Sequence, residues 1–254
     1  MNIDMNKCTT IHGAIALFLL GQVMSSHLAQ AGVVMTGTRI IFPAQKTEKT
    51  LQFKNMDDFP NLMQVWVDAG DESSTPETAQ SPFIIGPQIF KMAGQQGQIS
   101  RLIFVGDAKQ LPQDRESIYY LNFSEMPAVK QSDADKNKLL VVFKNRIKIF
   151  YRPEGLKGSA DDVGDRLSYA FIGNATQPQL QLYNPSAYHA NIAQMHIRFN
   201  GQKLESQDNL LIAPLSSIKL PIKALPAKQQ ALDIQVNLIN DYGSSVLYSI
   251  KPHL

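Results

Sequence analysis

The run Lys138-Leu139-Leu140-Val141-Val142-Phe143-Lys144-Asn145-Arg146-Ile147-Lys148-Ile149-Phe150-Tyr151-Arg152-Pro153 decides how this chain folds. It is rich in β-branched and aromatic residues, holds no glycine, and stops at a proline, which cannot extend a sheet ladder. It reads as a β-strand. Its first half is apolar on both faces, with Leu139, Val141 and Phe143 on one side and Leu140 and Val142 on the other. A strand with one wetted face does not need both rows, so one of them requires a partner. The second half sets Lys144, Arg146, Lys148 and Arg152 on the alternate face, and the apolar surface turns cationic. One reading is a central strand whose charges snorkel at a sheet edge. The other is an exposed apolar edge that accepts a visiting strand, beside a cationic anchor for the visitor's chain end.

The whole chain has 254 residues, 44% apolar and 18% charged, enough for one large domain or two small ones. A formal net charge of +2 is too balanced for a protein whose main partner is nucleic acid. The single cysteine is Cys8. It lies in a segment with the pattern of an export signal: Lys7 near the start, an apolar core from Ile11 to Val23, and the small residues of Ala29-Gln30-Ala31. The expected cut falls after Ala31, and since the apolar run is shorter than the roughly 20 residues that span a bilayer, a retained anchor is the weaker reading. The processed chain then has no cysteine, hence neither a disulfide nor a thiolate site, and export without cysteines fits a bacterial periplasm.

Beyond residue 31 the pattern predicts strand after strand: Val33 to Phe42, Thr50 to Asn55, Leu62 to Ala69, Phe83 to Met92 broken at Gly86-Pro87, Ile99 to Val105, Ile118 to Ser124 and Leu139 to Tyr151. Seven short strands without helical periodicity suggest a sandwich of immunoglobulin type. Trp66, beside Met63, Val65 and Val67, is expected in its core. Residues 153–158 have linker composition. A second β-rich set follows, at Leu167 to Ile172, Gln179 to Tyr183, Ala190 to Phe199, Asn209 to Ile212, Ile218 to Ile222, Leu232 to Leu238 and Val246 to Ile250. The domains are therefore expected at 32–152 and 159–254.

Catalytic signatures are missing: the sequence has no phosphate-cradling loop, no zinc-protease helix, no nucleophile elbow and no dinucleotide fingerprint. The histidines of the processed chain are His189, His196 and His253; His196, between Met195 and Ile197 in a predicted strand, reads as a hydrogen-bonded structural residue. Asp161, Asp162 and Asp165 lack the spacing of a calcium loop. No catalytic residue, metal or cofactor is expected, and the chain does not read as an enzyme.

Several strings recur together and in order. They are Thr38-Arg39-Ile40-Ile41-Phe42-Pro43, Leu111-Pro112-Gln113-Asp114-Arg115-Glu116-Ser117, Arg146-Ile147-Lys148-Ile149-Phe150-Tyr151-Arg152-Pro153, Asn184-Pro185-Ser186-Ala187-Tyr188 and Ile239-Asn240-Asp241-Tyr242-Gly243. With them the chain resembles the PapD-like periplasmic pilus chaperones over its whole processed length. The resemblance implies two immunoglobulin-like β-sandwiches in a boomerang arrangement and no turnover. It implies partners too, namely pilus subunits whose own sandwich lacks a strand and an outer-membrane usher that receives them. In that family the chaperone lends a strand to the subunit. Here Leu139, Val141 and Phe143 would enter the subunit's groove.

By the same resemblance Arg39 and Lys148 would bind the subunit's C-terminal carboxylate, and Glu116, Arg152 and Asp241 would form a charge cluster that fixes the two domains. Two cations converging in a partly desolvated cleft hold a carboxylate far better than one exposed pair, which contributes ~0–1 kcal/mol. Strict alternation puts Lys148 opposite Phe143, so a bulge or strong twist is expected near Asn145. The stretch from Pro127 to Asn137 is short, as in the short-loop subgroup. An unpaired apolar edge is an aggregation hazard, so the free protein is expected to be able to pair with a second copy. An exported adhesin or carbohydrate-binding module is the alternative, but it gives no reason for Arg39 and Lys148 in these contexts.

Overall fold

The computed structural model describes residues 32–128, 139, 141–174, 177–199, 202–222 and 232–253. The export segment lies outside the described residues, as do most of the 127–137 loop and Leu140. The described chain is nearly all strand. Its first part runs through β1 (Val33–Met35), β2 (Arg39–Pro43), β3 (Glu48–Asn55), β4 (Asn61–Asp68), β5 (Phe83–Gly86), β6 (Ile89–Met92), β7 (Gly97–Phe104), β8 (Ser117–Pro127) and β9 (Phe143–Arg152). A sheet of order β1-β3-β7-β5 packs on a sheet of order β2-β9-β8-β4-β6. Period-two burial explains the pairing: Leu51, Phe53 and Asn55 of β3 point inward, and Thr50, Gln52 and Lys54 point out. Between the sheets lie rings from both. Phe104 stacks on Tyr151 at 4.9 Å, and Phe83 meets Phe42 edge-on at 5.0 Å; such pairs contribute about 0.5–1.5 kcal/mol each beyond burial.

The second part begins with a single-turn helix, α1 (Val163–Arg166), then runs through β10 (Ser168–Gly173), β11 (Pro178–Asn184), β12 (Ala190–Phe199), β13 (Gln202–Ile212), β14 (Ser216–Pro221), β15 (Leu232–Ile239) and β16 (Ser245–Pro252). Their hydrogen-bonded order is β13-β12-β15-β16-β10-β11-β14, with β10 and β16 parallel. Leu180 and Leu182 from β11 share a core with Ile192 and Met195 from β12 and Val236 from β15. Strands from the two ends of that order thus face one another, and the unit is a second β-sandwich. Asp161 and Asp162 sit in the turn that starts α1, where Ser159 and Asp162 cap one another's backbone. Among the described residues no helix is long and apolar enough to cross a membrane.

Several expectations from the sequence need correction. The stretch from Val33 to Phe42 is two strands in different sheets: β1 pairs with β3 and β2 with β9, and the chain crosses between sheets through Gly37, whose φ of +90° suits glycine. The strand expected at 209–212 starts earlier, at Gln202, because β12 offers it a ladder along its length. Trp66 is buried but lies outside the core, on the opposite face from Met63, Val65 and Val67. Its indole N–H donates to Ser74 Oγ at 3.3 Å, and the Lys144 ammonium lies 5.1 Å from its ring. His196 Nδ1 is buried without a hydrogen-bond partner among the described residues.

Another correction concerns Asn145. Pairing between β8 and β9 runs one for one from Ser117 opposite Tyr151 to Glu125 opposite Phe143, so no bulge interrupts it. None is needed. Ile147, Ile149 and Tyr151 join the core of the first sandwich, while Lys148 and Arg152 point the other way and reach residues of the second sandwich. The anchor and the apolar row simply occupy opposite faces of one strand.

Candidate functional site: an open strand edge that ends in a cationic cleft

β9 has two different halves. From Lys148 to Tyr151 it is paired on both sides, with β8 and, in parallel register, with β2. From Phe143 to Ile147 it pairs with β8 alone. Its other edge therefore presents unpaired backbone groups, the template on which a further strand can add. Residues 139, 141 and 142 are not in a ladder. Leu139 is 89% exposed and Val141 48%, and Phe143, at the strand's first position, is 60% exposed. The strand expected from Leu139 thus begins four residues later, because its apolar row finds no pairing strand among the described residues.

The open edge ends where β2 begins, and there Arg39 of β2 stands opposite Lys148 of β9. Arg39 donates from Nη1 to the Ile239 carbonyl at 2.7 Å, and its Nε is buried without a partner among the described residues. Lys148 donates to Asn191 Oδ1 at 3.0 Å. Both acceptors are neutral oxygens. Among the described residues neither cation has a carboxylate within salt-bridge distance, in contrast to Arg146 and Arg152 on the same face of β9. Burial lowers the pKa of Lys148, and the charge of Arg39 lowers it further. Burial likewise lowers that of Arg39, against the pull of Asp241 and Glu116. Two adjacent, partly desolvated cations facing neutral acceptors form a ready site for one anionic group.

Next to this pair lies the charge cluster. Arg152 donates from Nε to Glu116 Oε1 at 2.5 Å and grips Asp241 with both terminal nitrogens, at 2.5 and 2.7 Å. Burial opposes its charge, but the bonds and charges of Asp241 and Glu116 raise its pKa above the ordinary arginine value. The second oxygen of Glu116 accepts from the backbone N–H of His189 at 2.8 Å and contacts its Nδ1 at 3.0 Å. The Tyr188 ring lies under the guanidinium, 5.1 Å away. Glu116, Arg152, His189 and Asp241 line one small cavity of about 60 Å³ together with Arg39.

The structure brings Arg39 and Lys148 together, and Glu116, Arg152 and Asp241 together, and it leaves Leu139, Val141 and Phe143 exposed at the strand's start. Sequence reasoning missed Asn191, the Ile239 carbonyl and His189. Asn191 and His189 flank the start of β12, and a buried polar residue among apolar ones there was the available signal. A backbone carbonyl leaves no mark in a sequence.

Comparison with known proteins agrees in both halves. The family described as "Pili and flagellar-assembly chaperone, PapD N-terminal domain" matches residues 32–157, and "Pili assembly chaperone PapD, C-terminal domain" matches residues 162–250. "Chaperone protein FimB/FhaD" of Bordetella pertussis is 34% identical over 90% of this chain and 93% of its own length. Among solved structures, that of the YadV chaperone superposes with a TM-score of 0.72 at 27% identity, covering 86% of this chain and 98% of that one. A complex of the SafA pilin of Salmonella enterica with the SafB chaperone matches with a TM-score of 0.69 at 25% identity, over 86% of this chain and 95% of the other.

Proposed function

This chain belongs to the PapD family of pilus-assembly chaperones, and we propose that it binds exported pilus subunits in the periplasm by strand donation, anchors each by its C-terminal carboxylate, and passes it to an outer-membrane usher. The reading rests on one juxtaposition: the unpaired edge of β9 between Phe143 and Ile147 runs directly into Arg39 and Lys148. A subunit strand added there continues the line of β2, and its chain end arrives at the two cations. Fixing that end fixes the register. A slip of one residue would turn every side chain of the added strand to the wrong face. With the register set, Leu139, Val141 and Phe143 fill the apolar groove of the incomplete subunit, and main-chain bonds order the pair. No bond is made or broken, and no cofactor enters. Release follows when a better-fitting strand replaces the chaperone's in the growing fibre. The SafA–SafB complex gives this reading a precedent in a structural relative.

Co-expression with a candidate subunit in the periplasm tests it. Wild type is expected to yield a soluble one-to-one complex. Lys148→Ala and Arg39→Ala, shown to be folded by circular dichroism, are expected to lose it. Folded variants that retain the subunit as well as wild type would sink the carboxylate assignment.

A further inference from the structure

At the far end of the first sandwich a buried acidic pair meets the beginning of β1. Glu125, near the end of β8, is 6% exposed, and Asp57 beside it is buried too. Among the described residues the one hydrogen-bond donor to Glu125 is the backbone N–H of Val33. Asp57 accepts from Asn61 Nδ2 at 2.8 Å. No lysine, arginine or histidine among the described residues pairs with either carboxylate. Burial pushes the Glu125 carboxyl above its ordinary pKa; the Val33 N–H opposes this and Asp57 adds to it. A buried carboxylate that lacks a counter-charge is costly.

Gly32 is held against this group. Its carbonyl accepts from the Met56 N–H at 2.9 Å, next to the pairing of Val33 with Asn55. A Cβ on Gly32 would stand 2.5 Å from both Glu125 oxygens, so the main chain at Gly32 lies directly against the carboxylate. Gly32 is also the residue that follows Ala29-Gln30-Ala31. Cleavage after Ala31 turns its neutral amide nitrogen into an α-ammonium, with an unperturbed pKa of about 7.7–8.0. We propose that Glu125, assisted by Asp57, is the binding site for the α-ammonium that leader removal creates at Gly32. The ion pair ties β1 to β8 beside Val141 and Phe143, which with Gly32 and Glu125 line one cavity of about 140 Å³. In the uncleaved chain the Gly32 nitrogen is a neutral amide and brings no charge to the carboxylate, so processing completes the fold next to the donor segment. The proposal rests on the export reading, specifically on cleavage at Ala31.

The test exports the full chain with its own leader and fixes its first residue by intact mass. A second chain carries Ser-Thr inserted between Ala31 and Gly32, so that the same cut leaves two extra residues. Carboxyl-labelled titration by NMR follows Glu125 in both, and thermal unfolding is recorded from acidic to neutral pH. In the chain that begins at Gly32, Glu125 is expected to titrate below the ordinary carboxylate value, and in the extended chain above it. The extended chain is expected to unfold roughly 4–8 °C lower at neutral pH. The sign differs with pH as well. A carboxyl with a raised folded pKa destabilises the fold once it ionises, so the extended chain loses stability as pH rises through that titration. Glu125→Gln is expected to erase the difference between the two chains. Equal titration of Glu125 in both chains overturns the ion pair; a first residue other than Gly32 overturns the cleavage on which it depends, and the mass tells the two failures apart.

Discussion

Lys148 is under opposing demands that a pH profile can read. Burial and the neighbouring Arg39 both lower its pKa from the lysine value of 10.5. In the free protein the folded state disfavours the ammonium, so stability rises as pH climbs through the lowered pKa toward 10.5. A carboxylate bound between Arg39 and Lys148 reverses the preference and holds the proton. Affinity for a peptide ending in the subunit's C-terminal carboxylate is therefore expected to fall at alkaline pH, earlier than an ordinary lysine would deprotonate. Calorimetric titration from neutral to alkaline pH measures this, and an affinity independent of pH would contradict it. Asp68 shows the converse case. It is 1% exposed and takes two bonds from Arg146, at 2.5 and 2.8 Å, one from Asn122 at 2.6 Å and one from the Gly70 N–H at 2.7 Å. Burial pushes its carboxyl up, yet these bonds prevail and hold it below the ordinary value. Its contribution is present above the ordinary carboxylate pKa and is lost as pH falls through the lowered one. Asp68→Asn leaves the Arg146 charge partly buried and unpaired, which is expected to cost on the order of 3 kcal/mol in urea unfolding and to flatten the acid limb of the stability curve.

As an element, the donor segment gains little from the chain that carries it. Residues 139 to 142 precede β9, and Leu139 is almost fully exposed, so Leu139→Asp and Leu139→Lys are expected to leave stability within about 0.5 kcal/mol of wild type. The same changes place a charge in the subunit's apolar groove and are expected to weaken binding at least about tenfold. Hydrogen exchange supplies the independent check: amides of the segment should exchange freely in the chaperone alone and become protected in the complex. Protection in the free monomer would show that the segment already has a partner. This is also where the sequence was most and least legible. Period-two burial and turn residues identified most strands within a few residues, and the Arg-Ile-Lys-Ile-Phe-Tyr-Arg-Pro string pointed to the candidate site. The pattern could not tell that Val33 to Phe42 changes sheets at Gly37, because both halves bury alternate residues equally well. Nor could it tell that β9 starts at Phe143, since an apolar row looks the same whether its partner is in this chain or in another. Trp66 misled for a related reason: a residue buried beneath a loop has the composition of a core residue without its position.

At the scale of the whole molecule, the two sandwiches are joined through the two cations proposed to hold the subunit and through the charge cluster beside them. Arg39 reaches Ile239, Lys148 reaches Asn191, the Glu116 N–H donates to the Ala187 carbonyl at 2.9 Å, and Arg152 clasps Asp241. A Cβ on Gly243 would stand 2.6 Å from Thr38 Oγ1, so the turn after β15 lies close against the segment leading into β2. The cleft is therefore a product of the angle between the sandwiches. Arg152 touches no subunit atom in the proposed complex, yet it stands between Glu116, whose side chain is almost wholly buried, and Asp241. Arg152→Ala strands the Glu116 carboxylate with only its His189 contacts, and about 3–5 kcal/mol of stability is expected to go with it. Small-angle scattering of the variant, at a temperature where circular dichroism shows both sandwiches folded, should report a broader distribution of domain orientations. Subunit affinity should then drop because Arg39 and Lys148 no longer converge, while each remains charged. The pH dependence of the residual binding separates this from direct loss of the anchor, since Lys148 still titrates in Arg152→Ala and cannot in Lys148→Ala. A variant with unchanged scattering, unchanged stability and full subunit affinity would mean that the angle is set by the other contacts alone.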